Sequence, residues 1–171
     1  PLPQARAGAK AVADSLEAAG FTVTLHTDLA QQALQRAIRD FGLRLEYEGG
    51  IGVLYFAGHA AAWRGRTYLM PAQAPIAHPS DLELEGVPLS AAMAQLRRAP
   101  NVRGLAIVNA GYGVGFAPAL NAAAQGLAVP EAPPETMVAF ATRPGRLLPP
   151  PGQSGLDPEA AALADALRRA D

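Results

Sequence analysis

The chain has 171 residues, 50% of them hydrophobic, and 14 Lys+Arg against 15 Asp+Glu leave a formal charge of -1. That suits one compact α/β domain (1–171) with a sizeable core, and no charge field favours a phosphate backbone or an anionic lipid surface, so no nucleic-acid or membrane partner is expected. The absence of cysteine excludes disulfides, zinc-thiolate sites and a cysteine nucleophile.

In chain order, Ala9, Val12, Ala13, Leu16 and Ala19 recur at helical spacing over residues 4–19, with Gly20 as a stop. The alternating, β-branched "FTVTLHT" predicts a strand, and Asp28 a cap for a second helix with Leu34, Ala37, Ile38, Phe41 and Leu45 on one face. "GGIGVLYFAGH" is a continuous apolar run opened by glycines, as in a strand buried on both faces of a parallel sheet. "RTYLMP" predicts a short strand, "PLSAAMAQLRRA" a helix, and "VRGLAIVNA" and "ETMVAFAT" further strands. "DPEAAALADALRRA" closes the chain as a helix with Asp157 as N-cap and Pro158 in its first turn. This alternation predicts a mostly parallel sheet with helices on both faces. No run of about 18 apolar residues, the length that would cross a bilayer, occurs in the sequence. The chain opens "PLPQAR" without an initiator Met, so its natural start is expected upstream and its compartment is not legible.

Two stretches could carry chemistry. In "IVNAGYGVGF", Gly111, Gly113 and Gly115 follow an apolar strand, which raises the possibility of a small-ligand or nucleotide loop. The spacing departs from G-x-G-x-x-G, because Phe116 and Pro118 stand where a third glycine is needed. In "YFAGHA", His59 sits just past a buried strand, where open α/β sheets collect functional residues. His26 and His78 have no carboxylate neighbours that would complete a metal set. Asp81, Glu83 and Glu85 alternate like a solvated face rather than a calcium cage. No metal or other cofactor is expected.

Gly111 follows His59 by about fifty residues, the His-to-Cys spacing of caspases. Six blocks, "PLPQARAGAKAVADSLEAAGFTVTLHTD", "GVLYFAGHA", "GRTYLMPAQA", "VPLSAAMAQL", "GLAIVNAGY" and "TMVAFATRPG", resemble in order those of the caspase-like peptidases, in their bacterial metacaspase and orthocaspase branch. The resemblance implies the α/β caspase-hemoglobinase fold, incomplete at both ends: relatives carry a strand before the first block, in mid-sheet, and further sheet after the last helix. A chain without that strand would leave an edge exposed or a gap in the sheet, which favours pairing or swapping.

The resemblance also places the site. His59 stands at the catalytic His, and Gly111 at the nucleophilic Cys. The two acids that line a pocket for basic side chains are replaced by Gly8 and Asn109, and the oxyanion hole falls at Gly58, Ala60 and Gly111. Glycine offers nothing for His59 to activate. Tyr112 and Ser154 are poor substitutes, since a phenol of pKa about 10 needs a strong base and no G-x-S-x-G elbow is present. The expected function is therefore a catalytically inactive, pseudopeptidase-type interaction or regulatory module. Its expected partners are a protein or peptide, an active caspase-like relative, or a second copy. The alternatives are a cysteine endopeptidase whose Cys has been altered to Gly111, and the small-ligand or nucleotide binder.

Overall fold

The structure, a computed structural model, describes residues 2–98, 101–110, 127–132, 134–143, 145–146 and 156–169. Helix α1 (Pro3–Ala18) begins with proline in its first turn, where the missing N–H costs nothing, and buries Val12, Ala13 and Leu16 on one face. Gly20 ends the turn at φ +85°, a conformation that glycine adopts without a Cβ clash. Helix α2 (Gln31–Glu48) starts after Ala30 with no side-chain cap. Asp28, expected as that cap, lies at φ +51° two residues before it and ion-pairs with Arg6 instead.

Strands β1 (Gly50–Gly58), β5 (Val102–Ala110) and β6 (Thr136–Phe140) form a parallel sheet in the order β1-β5-β6. The ladder between β1 and β5 runs without a break from Gly50 opposite Val102 to Gly58 opposite Ala110. A second, antiparallel sheet contains β2 (Ala60–Trp63), β3 (Arg66–Leu69) and β4 (Val87–Pro88), with helix α3 (Asp81–Glu85) before β4 and helix α4 (Leu89–Gln95) after it. Helix α5 (Pro158–Arg168) closes the described chain. The sequence foreshadows neither β2 nor α3. Both are short and depend on tertiary contacts: β2 pairs with β3, and α3 is pinned by the fully buried Leu82.

The main core lies on the α2 and α4 side, where Leu45, Leu89, Met93 and Leu96 meet Ala106, Val108 and Ala110 of β5. On the opposite face Val12 and Leu16 of α1 and Ala160 of α5 pack over Val53 and Tyr55 of β1. Helices thus cover both faces of a parallel sheet, consistent with the caspase-hemoglobinase fold.

Two further expectations change. Residues 21–27 form no strand, although Phe21 and Val23 do turn inward onto Val12 and Leu16 while Thr22 and Thr24 face out. The alternation is realised, but a strand also needs a ladder partner, and none is present among the described residues. For the same reason β1 is not buried on both faces: Ile51 is 61% exposed and residues 53–58 are half-buried, whereas the central strand β5 is buried throughout residues 106–110.

Helix α4 approaches β5 closely because Gly104 has no side chain. A Cβ there would lie 2.8 Å from Leu96 Cβ, a separation that only backbone movement relieves. Gly104→Ala is expected to lower stability by about 1–3 kcal/mol, read as a fall in the urea midpoint at unchanged m-value.

Candidate functional site

The site is organised by the carboxyl ends of β1 and β5. Their ladder stops at Gly58 and Ala110, so the next residue of each strand is His59 and Gly111 respectively. Gly111, Tyr112 and Ser154, with the whole Gly111-to-Gly115 loop, lie outside the described residues. His59 bridges the two sheets, between β1 and β2, and its carbonyl accepts from Met70 N at 2.9 Å. The ring is half-buried, and loss of solvent holds its pKa below the ordinary histidine value, so it is a neutral imidazole at neutral pH. Gly58 is also half-buried, while Ala60 is buried in the main core beside Ala106 and Ala110.

Asn109 is the penultimate residue of β5 and only 2% exposed. Its Nδ2 donates to Tyr55 Oη at 3.1 Å and to Asp157 Oδ1 at 2.9 Å. The carboxylate only accepts, which fixes the amide nitrogen rather than the oxygen toward α5. Asp157 caps α5 as expected: the same Oδ1 accepts from Glu159 N at 2.9 Å and Ala160 N at 3.3 Å. One oxygen thus ties the last helix to the end of the central strand.

Gly8, the other expected pocket position, is buried on α1 beneath the same helix. A Cβ at residue 8 would come within 2.8 Å of Ala160 Cβ and 3.9 Å of Tyr55 Oη. Gly8, Tyr55, Asn109 and the first turn of α5 therefore form one packed unit. Sequence reading finds Gly8, Asn109 and Asp157 separately but not Tyr55 or Glu159. The available signal was a polar Asn at the end of an apolar strand, which demands a partner on burial.

The unit shifts two protonation equilibria. Burial pushes the Tyr55 phenol up to about 12, the Asn109 hydrogen bond partly opposes this, and the Glu159 and Asp157 charges add to it. Burial, with help from Asp157, raises the Glu159 carboxyl to about 7, and its Oε2 has no hydrogen-bond partner. The Tyr55 phenol is therefore protonated at neutral pH, while Glu159 is poised between its two forms.

Elsewhere, His26 is exposed, and exposed His78 pairs through Nδ1 with Ser80 Oγ at 2.8 Å. Asp81 accepts from the backbone N–H groups of His78 (2.8 Å) and Ala77 (3.0 Å), which lowers its pKa. It serves as a turn clamp at the start of α3. Among the described residues no three His, Asp or Glu side chains gather as a metal set, and no helix is long and apolar enough to cross a membrane.

The caspase domain family matches residues 1–155 of this chain, and the chain belongs to that family. None of the curated proteins compared matches it.

The raised Glu159 carboxyl makes stability depend on pH. The folded state binds the proton more tightly than the unfolded chain does, so this contribution is complete below about 4.5 and is lost as pH rises through about 7. Subtracting the thermal midpoints of Glu159→Gln from those of the wild type across pH 4–8 is expected to leave a component that declines over this window. The substitution flattens that part of the profile.

Proposed function

We propose that this caspase-family chain is a non-catalytic member of the metacaspase and orthocaspase branch, acting as an interaction or regulatory module. The observation that carries the reading is the state of Asn109. The position where the resemblance expects a pocket acid instead holds a buried amide, and that amide is bonded to Tyr55 and Asp157 of its own chain. The sequence adds that Gly111 stands at the position of the thiol, so that the neutral imidazole of His59 has no nucleophile to deprotonate.

What remains is a scaffold for binding. Among the described residues β1 and β6 each pair on one side only, and an open strand edge accepts an extended segment through main-chain hydrogen bonds. The partner class that fits is a protein or peptide strand, supplied by a relative or by a second copy.

Fluorogenic peptides with Arg, Lys or Asp before the scissile bond test the catalytic half of the proposal. The chain is expected to give no turnover above buffer, and His59→Ala is expected to leave that baseline unchanged. Turnover by the chain as it stands, abolished by His59→Ala, would overturn the reading in favour of a working peptidase.

A further inference from the structure

We propose that α5 is an internal plug: its first turn occupies the place of the basic-side-chain pocket, and neutral, small residues at 109 and 8 are what allow it to dock. The inference uses the reading of those two positions as pocket positions, but does not depend on the absence of turnover.

Two separate contacts lead to it. At Asn109 the constraint is electrostatic. Asp157 Oδ1 lies 2.9 Å from the amide nitrogen, so an acid at 109 would set two carboxylates against each other in a site that is only 2% exposed at residue 109. Like charges that close do not both ionise without cost. At Gly8 the constraint is steric. Even a single methyl group would overlap Ala160 Cβ at 2.8 Å, and an acidic side chain is larger still. An ionised acid at 109, or any side chain at 8, therefore conflicts with α5 where it sits. The loss of both acids and the docking of the helix are one structural fact rather than three.

The nature of Asp157 sharpens the point. It already accepts from Glu159 N and Ala160 N, so it cannot turn away from an acid at 109 without uncapping α5. Glu159, half-buried one residue beyond Pro158 with its shielded Oε2 unpartnered, offers the newcomer no cation.

Hydrogen exchange of the full chain, followed by mass spectrometry, tests the plug. Asn109→Asp is expected to raise exchange of the α5 amides about tenfold or more, the scale of a lost hydrogen bond to a charged group, while the β1 and β5 amides stay protected. Gly8→Ala is expected to act in the same direction. The charge swap Asn109→Asp with Asp157→Asn restores a donor–acceptor pair and keeps a good N-cap, and is expected to return α5 to wild-type exchange. Should Asn109→Asp unfold the chain, recovery by the swap still supports the plug. Unchanged α5 exchange in Asn109→Asp, or a swap as exposed as that single variant, would overturn it. Because exchange is read without substrate, its outcome is separable from that of the peptide assay.

Discussion

The parallel pairing of β1 with β5 is the constraint on which the rest depends. Nine consecutive residue pairs, Gly50 with Val102 through Gly58 with Ala110, share one register. A slip of one residue would turn every side chain of one strand to the other face of the sheet. Asn109 would then leave Tyr55 for the α2 and α4 side, and Ala110 would face α1. The register is enforced by volume: Gly52 and Gly104 point toward the helices that come nearest, at Leu45 of α2 and at Leu96, which caps the end of α4, while Val53, Tyr55 and Ile107 point to the other side. Packing at one end of the strands thus determines which groups meet at the other.

That dependence explains what could be read from the sequence. The long periodic elements were legible, because β5 announces itself by unbroken apolar character and α5 by the Asp157-Pro158 start. The ordered blocks placed His59 and Asn109 at neighbouring strand ends, and the structure puts both strand ends side by side. What was not legible is cooperative. Residues 21–27 have the composition of a strand, yet strand formation is a property of a pair of segments, and the open edge of β1 provides no observed ladder. Asp28 has the chemistry of a helix cap, but ion pairing with Arg6 and a positive φ place it outside the helix. Tyr55 sits in an apolar run where nothing local marks its hydroxyl as special. Its role exists only once β5 brings Asn109 alongside.

The packed unit of Gly8, Tyr55, Asn109 and Asp157 also shows how a buried polar group at a strand end can be satisfied by the cap of a neighbouring helix. Each member is unremarkable alone: a small helix residue, a strand tyrosine, a buried amide, a helix cap. Together they satisfy the buried amide nitrogen and complete the cap of α5. The cost falls on Glu159, whose carboxyl is raised to about 7 by burial and by the neighbouring Asp157.

One contact outside that unit joins two parts of the chain 61 residues apart. Thr67 of β3 is buried and exchanges two hydrogen bonds with Ala128: its Oγ1 donates to the carbonyl at 2.7 Å and accepts from the N–H at 2.9 Å. Among the described residues the antiparallel and parallel sheets share no backbone ladder, and this hydroxyl acts as a rivet between β3 and the segment that leads toward β6. Thr67 stands opposite Ala62 in the β2–β3 ladder, so the segment at residue 128 is tied to the strand that begins one residue after His59.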